Sequence, residues 1–182
     1  MNRHITKAIQ PLVNKLSRRH ALFWLGGSGM TTAFVVGSDN EVIAKQNEGL
    51  EYVNPPGLYN AAPLGFSQIV VAPPKSRTVY ISGQNGVDEN ANLVSDDFAA
   101  QLKQSFVNLR IALDSVGARP EHVAKVTELI VNQTEEQIPL LISELKALFG
   151  EKLPANTLIP VPRLALNGFL FEIDAFVEIP LS

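Results

Sequence analysis

The chain has 182 residues, of which 46% are apolar and 18% are charged, and it contains no cysteine. These figures fit one globular domain with a substantial core, and they exclude a disordered chain, a disulfide scaffold, a collagen-like fibre and a zinc ribbon. The 15 Lys and Arg against 18 Asp and Glu give a net charge of −3, but the charges are distributed unevenly along the chain.

Residues 1–38 differ in composition from the rest of the chain. They contain no Asp or Glu, five of the basic residues, both methionines and the only tryptophan. A basic stretch that ends at Arg18-Arg19 precedes an apolar, glycine-rich run, which is the order of regions in an export signal. The join is similar to a bacterial twin-arginine signal. We therefore expect residues 1–44 to be an export signal and cleavage region, and the protein to be periplasmic or otherwise extracytoplasmic.

The end of this leader leaves alternatives open. Small residues allow cleavage after Ser38 or after Ala44, and an uncleaved anchor is the alternative, since the run approaches the roughly 18 apolar residues of a spanning helix. Cleavage after Ser38 leaves a body with ten basic and 18 acidic residues, a net charge of −8. Cleavage after Ala44 leaves ten basic and 16 acidic residues, a net charge of −6. Nucleic-acid binding needs a clustered basic surface. We expect no nucleic-acid partner, and membrane contact only through the signal during export.

The first part of the body is predicted to contain a lead-in and a hairpin. Residues 45–65 are expected to be irregular, because Pro55-Pro56-Gly57 breaks regular structure. Two stretches rich in β-branched and aromatic residues, 66–72 and 78–82, follow on either side of a loop with two prolines. This pattern is typical of a β-hairpin.

Two amphipathic helices are predicted, with a strand over 123–131 between them. Apolar residues recur at steps of three and four from 98 to 116, with Ser95 or Asp96 as the N-cap and Gly117 as the stop. Thr134 and Gln137 form the pattern of a capping box for the second helix, which is expected to end at Gly150.

The last stretch predicts two strands, 157–161 and 169–178, with Asn167-Gly168 as the turn pair between them. The element order is therefore β-β-α-β-α-β-β over residues 66–182. This order predicts an α+β domain with two helices on one face of a sheet.

Several side chains are candidates for chemistry, each with a structural alternative. Glu172 and Asp174 share one strand face and can divide acid and base roles, or they can belong to a solvated face. Ser82-Gly83 at a strand end can bind an anion through the hydroxyl and the unhindered backbone, or it can simply form a bulge that ends the strand. Arg163 is a candidate anion ligand or a surface ion-pair partner. His122 is the only histidine of the body, which excludes a multi-histidine metal site in one chain; capping or solvent exposure is its default role.

Seven motifs in order along residues 50–180 resemble the RidA (YjgF-type reactive intermediate deaminase) family. They are Phe66-Ser67-Gln68, Ile81-Ser82-Gly83-Gln84 with Asp88, Gln101-x-x-Gln104-x-x-x-Asn108-Leu109, Leu113 to Gly117-Ala118, His122-Val123-x-Lys125-Val126-Thr127, Pro154-Ala155, and Glu172-Ile173-Asp174-Ala175. The resemblance implies a chorismate-mutase-like fold and a homotrimer with a central barrel and three ligand clefts between subunits. It also implies hydrolysis of enamines and imines without a metal or organic cofactor, and some members are described as acting on RNA.

The resemblance assigns roles to five residues. Glu172 takes the position of the glutamate that orients water or a proton, and Ser82 and Gly83 take the strand-end positions of the pocket. Phe66 stands where the family has a tyrosine, and Asn156 stands where the family has the arginine that clamps the substrate carboxylate. We therefore expect a protein that binds a small polar or carbonyl/imine-type metabolite, with inefficient deamination of imino acids. An imine deaminase with an altered substrate range and a non-catalytic interaction protein are the alternatives.

Overall fold

The structure is a computed structural model that describes residues 48–181. The expected export signal, its two cleavage positions and the alternative anchor lie outside the described residues. Between residues 48 and 181, no helix is long and apolar enough to cross a membrane.

The strands of the described part form two sheets. Two short strands, β1 (Glu51–Val53) and β2 (Ile69–Val71), pair antiparallel with each other. The main sheet has four strands: β3 (Ser76–Asn85), β4 (Val123–Val131), β5 (Ala155–Val161) and β6 (Phe171–Pro180). Their order across the sheet is β3-β6-β4-β5. Strand β6 is antiparallel to both of its neighbours, whereas β4 and β5 are parallel. Strands β3 and β5 are therefore the two edges of the main sheet.

Helix α1 spans Phe98–Ser115 and helix α2 spans Gln137–Phe149. The N-cap of α1 is Asp97, whose side chain accepts a hydrogen bond of 2.9 Å from the Ala100 N–H. The prediction of Ser95 or Asp96 as the cap is wrong by one or two residues, because Ser95 instead accepts a hydrogen bond from the Asp97 N–H. The helix stops as expected at Gly117, whose φ of +70° is a left-handed conformation that suits glycine.

The predicted capping box before α2 is half formed. The Gln137 side chain accepts a 2.8 Å hydrogen bond from the Thr134 N–H. The N-cap position is Glu136, which makes no side-chain cap, so the reciprocal bond of the box is missing. The helix ends at Gly150, as predicted.

Both helices pack on one face of the main sheet and enclose the core there. Buried leucines and phenylalanines of α1 and α2 form one hydrophobic cluster with the inward residues of β6, namely Phe171, Ile173, Ala175 and Val177. The α+β class and the two helices on one face are therefore confirmed. The opposite face of β6 carries the partly or more exposed residues Glu172, Asp174, Phe176 and Glu178, so the predicted alternation is also confirmed.

The predicted strand pairings are wrong in two places. Strand β2 pairs with β1, which lies in the segment expected to be irregular, and not with β3. Pro73-Pro74 between β2 and β3 lacks two N–H donors, and the chain passes there from one sheet to the other. The Asn167-Gly168 turn does not join paired strands either, because β4 lies between β5 and β6. Local sequence patterns identify strands, whereas long-range pairing chooses their partners.

Candidate functional site

The predicted strand-end residues and the predicted glutamate lie together at one edge of the main sheet. The pairing of β3 with β6 shifts between Ile81 and Gln84, so that Ser82 and Gly83 form a bulge opposite Asp174. The Glu172 side chain lies over the Cα of Gly83: a Cβ at position 83 would be 2.5 Å from Cδ and 2.7 Å from Cγ of Glu172. Only glycine leaves room for this carboxylate. We call Ser82, Gly83 and Glu172 the bulge site.

The second predicted carboxylate has a structural role. Asp174 Oδ1 accepts a 3.1 Å hydrogen bond from the backbone N–H of Thr127, which is its partner residue on β4. Its carboxylate is therefore engaged with the sheet, whereas that of Glu172 lies against the bulge. Of the two acids, Glu172 is the better candidate for chemistry.

Phe66 and Asn156 lie together in a different place, at the β5 edge and on the helix-facing side of the sheet. A hydrogen bond of 2.9 Å from the Ser67 N–H to the Pro154 carbonyl holds the segment of Phe66 beside the start of β5. Both residues line a cavity of about 420 Å³. The other lining residues come from α2, β5 and the segment before β2: Tyr59, Leu64, Gln68, Ile138, Leu141, Ile142, Leu145 and Leu158. We call this space the amide cavity, after Asn156.

Asn156 is hydrogen bonded to a buried acid. Its Nδ2 donates a 2.9 Å bond to Oε2 of Glu128, a β4 residue with no exposed surface. Burial raises the pKa of Glu128 to about 7, although the hydrogen bond from Asn156 acts in the opposite direction. The position that the resemblance associates with a cation therefore holds a neutral amide next to an acid.

Sequence reasoning missed Glu128 and Tyr59. A signal for Glu128 was present, because strand alternation puts it on the same face as Val126 and Ile130, both of which are fully buried. An acid on the apolar face of a strand needs a partner or a raised pKa. No local signal points to Tyr59, which contacts Phe66 edge to face with 6.3 Å between ring centroids. Its place depends on the loop between β1 and β2.

The other two candidates lie outside both sites. Arg163 follows the end of β5, and its guanidinium donates to the carbonyls of Leu164 and Ala165; it does not line the amide cavity. His122 is buried at the end of a 3₁₀ turn, and its Nδ1 accepts a 3.2 Å hydrogen bond from the Arg119 N–H. Of the two default roles expected for His122, capping or solvent exposure, the structure shows capping.

One chain does not bring the two sites together. Glu172 faces away from the helices and Asn156 faces towards them, and strand β4 separates β5 from β6. The bulge site is at the β3 side of the sheet and the amide cavity is at the β5 edge.

The fold and the bulge place this chain in the class of small α+β domains with two helices on a mixed sheet. The sequence model described as Endoribonuclease L-PSP matches residues 60–179. The chain therefore belongs to the Endoribonuclease L-PSP family, which is the RidA/YjgF family of the resemblance.

Curated relatives have the name 2-iminobutanoate/2-iminopropanoate deaminase. The chain is 30% identical over 119 residues to such a protein from Dermatophagoides farinae, with 64% of this chain and 88% of the relative covered. It is 32% identical over 120 residues to the human protein of that name, with 64% and 82% covered. These names describe the relatives.

Solved structures support the fold. A protein of unknown function from the conserved Rid family of Yersinia pestis superposes with a TM-score of 0.69 at 32% identity, covering 72% of this chain and 99% of that one. RidA from an Antarctic Psychrobacter species superposes with a TM-score of 0.51 at 28% identity, covering 70% and 94%.

Proposed function

We propose that this protein is an exported family member that binds a small polar, carbonyl or imine-type metabolite in clefts between the subunits of a homotrimer. We further propose that it deaminates imino acids inefficiently. The observation that carries the proposal is the contrast between its two sites. Glu172 occupies the open space over Gly83, whereas Asn156 is a neutral amide bonded to the buried acid Glu128.

The bulge site suits hydrolysis of a C=N bond. In such a reaction water adds to the imine carbon, the C–N bond breaks, and ammonia leaves. Glu172 would accept a proton from the attacking water and return it to the nitrogen, which is general acid–base catalysis. The chemistry needs no metal and no organic cofactor.

The amide cavity makes an α-carboxylate a poor ligand group. The ten residues that line it include no Lys, Arg or His. Loss of a guanidinium–carboxylate pair lowers affinity by a few kcal/mol, which is about a hundredfold or more. This lining favours, as a second candidate, a deaminase that accepts imines or enamines without an α-carboxylate.

Support for a trimer comes from the sheet face that lies away from the helices. Tyr80 and Phe176 are 74% and 42% exposed there, and their rings contact each other edge to face at 5.4 Å. Exposed neighbouring aromatic side chains on a sheet face are typical of an interface.

Ammonia release from freshly generated 2-iminopropanoate tests the proposal. We expect kcat/KM to be at least about 100-fold lower than that of the human deaminase, because the carboxylate has no cationic partner. Comparable turnover would contradict the proposal. For any imine that is hydrolysed, Glu172→Gln should abolish most of the rate, while Glu89→Gln at an exposed turn should not.

Two further outcomes separate the alternatives. Retention of the full rate by Glu172→Gln on every substrate would remove Glu172 from the mechanism. Absence of turnover and of ligand binding, together with a protein partner recovered from the periplasm, would favour an interaction protein.

Export is proposed from the leader alone. Replacing Arg18 and Arg19 with lysine keeps the charge and removes the twin-arginine pattern. We expect the double variant to stay in the cytoplasm at full length, whereas the native chain should be recovered from the periplasm at a lower mass. Equal export of both chains would contradict a twin-arginine route.

A further inference from the structure

Two side-chain oxygens of the Asn156–Glu128 pair lack a hydrogen-bond partner, and Asn156 is the member of the pair that lines the amide cavity. Glu128 Oε1 and Asn156 Oδ1 are buried, and they are the two buried side-chain polar atoms without a hydrogen-bond partner in the part of the chain that the structure describes. They belong to the two groups joined by the 2.9 Å bond between Nδ2 of Asn156 and Oε2 of Glu128. An unsatisfied buried acceptor costs about 1–3 kcal/mol. This pair is therefore a place where a hydrogen-bond donor would be stabilised.

The surroundings of this pair are apolar and contain no positive charge. The residues opposite Glu128 on β5 and β6 are Leu158 and Ile173. Helix α2 lines the cavity with aliphatic side chains. The nearby Lys146 donates to the Pro63 carbonyl and Lys125 donates to Thr157 Oγ1, and neither lysine lines the cavity. A donor in this cavity would consequently have to come from a ligand or from water.

We propose that the amide cavity binds a small molecule with an apolar body and a cationic nitrogen, a protonated amine or iminium, whose N–H groups bond to Asn156 and Glu128. This inference rests on the proposed function. It names the class of ligand that binds at the amide cavity, which contains Asn156. An ammonium carries three donors and no acceptor, which matches two unsatisfied acceptors. The charge-assisted bond to an ionised carboxyl is stronger than a neutral one. The aliphatic lining accommodates the apolar body.

Access to the acceptors requires a small side-chain movement. Asn156 is half-buried and lines the cavity, whereas its Oδ1 is shielded from solvent. A ligand reaches these oxygens only when the Asn156 side chain, which lines the cavity, moves aside from Glu128, and the amide's last side-chain torsion is a soft one. The ligand nitrogen then replaces Asn156 Nδ2 as a donor to Glu128. Because Glu128 is buried, its ionised form needs a cationic partner such as this ligand nitrogen.

Ligands of equal size test the charge preference. We would titrate the protein, purified after export, with isobutylamine, isobutyramide and isobutyrate at pH 8 and measure binding by calorimetry. We expect the amine to bind at least about tenfold more tightly than the carboxylate. Binding of isobutyrate as tightly as isobutylamine would overturn the proposal. Because this assay measures binding, its result is independent of ammonia release at Glu172.

A matched pair of variants tests the role of Glu128. Glu128→Gln should lower amine affinity at least about tenfold, whereas Glu89→Gln removes the same charge from an exposed turn and should leave affinity unchanged. In the native chain, amine affinity should rise between pH 6 and pH 8, as Glu128 ionises, and this dependence should vanish in Glu128→Gln. Unchanged amine affinity in Glu128→Gln, or a pH dependence that persists in it, would overturn the proposal.

Discussion

Asn156 donates a hydrogen bond of 2.9 Å to Glu128 and thereby connects the edge strand β5 to a fully buried carboxyl on β4. The two residues occupy adjacent parallel strands, with Val126 as the pairing partner of Asn156. A buried acid with one hydrogen-bond donor destabilises the folded state when it ionises, because burial disfavours the charge.

The first prediction concerns the pH dependence of stability. The pKa of Glu128 is raised from 4.5 to about 7 in the folded chain. The folded state therefore binds this proton more tightly than the unfolded state, so the stabilising contribution is complete below pH 4.5 and is lost as the pH rises through 7. The ionised form is disfavoured by roughly 3 kcal/mol. We expect Glu128→Gln to be more stable than the native chain by roughly 2–3 kcal/mol at pH 8, with little difference at pH 4.

Urea denaturation at pH 4, 6 and 8, at one fixed protein concentration, measures this effect. The exposed control Glu89→Gln should show no comparable gain at pH 8. An equal difference between Glu128→Gln and the native chain at all three pH values would contradict the raised pKa.

The second prediction concerns the space over Gly83. In Gly83→Ala the new methyl group overlaps the position of Glu172, whose Cδ would be 2.5 Å away. The carboxylate must move, and a displacement of about 1 Å can reduce a reaction rate about 100-fold. We expect Gly83→Ala to lose hydrolysis of any accepted imine to the same extent as Glu172→Gln.

Gly49→Ala is a matched control, because a Cβ at position 49 meets no atom within 4 Å. It should keep the native rate, and circular dichroism should show that both variants are folded. Full activity in folded Gly83→Ala would show that Glu172 can act from another position.

The third prediction is a double-mutant cycle at the amide cavity. Asn156→Arg introduces a guanidinium next to Glu128, and the two charges should pair with each other. The single variant should therefore gain little affinity for carboxylates. Adding Glu128→Gln frees the guanidinium, so the double variant should gain at least about tenfold in affinity for isobutyrate.

Calorimetry with isobutyrate and ammonia release from 2-iminopropanoate measure the cycle. Additive effects of the two substitutions would mean that positions 156 and 128 do not interact. A lower KM for 2-iminopropanoate in the double variant is the expected kinetic result.

The fourth prediction concerns assembly. Phe176→Lys places a charge on the exposed aromatic face beside Tyr80. Burying an unpaired charge in an interface costs several kcal/mol, so we expect the proposed trimer to dissociate. Light scattering should give the mass of a trimer for the native chain and of a monomer for the variant.

Ile111→Lys is the control for this experiment, since Ile111 is 61% exposed on α1, on the helix-bearing side of the sheet. It should remain a trimer. A trimeric Phe176→Lys protein would exclude the face of Tyr80 and Phe176 from the interface.

Several elements were predictable because their signals are local. The apolar spacing of α1 and α2 and the alternation along β6 depend on helix and strand periodicity within one segment. The Ser82-Gly83 bulge was one of two alternatives that the residue types allowed, and the role of Glu172 came from a motif that resembles a family. The caps were predicted less well: Asp97 caps α1, although Ser95 and Asp96 have suitable side chains too, because several neighbouring residues can fill this position.

The pairing of strands and the partner of Asn156 could not be predicted from local patterns. Strand β6 separates β3 from β4, and β4 separates β5 from β6, and these neighbours depend on contacts between distant segments. Glu128 could have been recognised as an acid on an apolar strand face, but the identity of its partner required the parallel register of β4 and β5.

The sequence alone therefore determined the class of fold, the basic composition of residues 1–38 against the acidic composition of the rest, and the identity of Glu172 as a candidate catalytic residue. Only the tertiary structure decided that Glu172 lies over Gly83 and that Asn156 is tied to a buried carboxyl. The physical reason is that periodicity and charge are properties of a segment. The environment of a side chain depends instead on which distant segments pack around it.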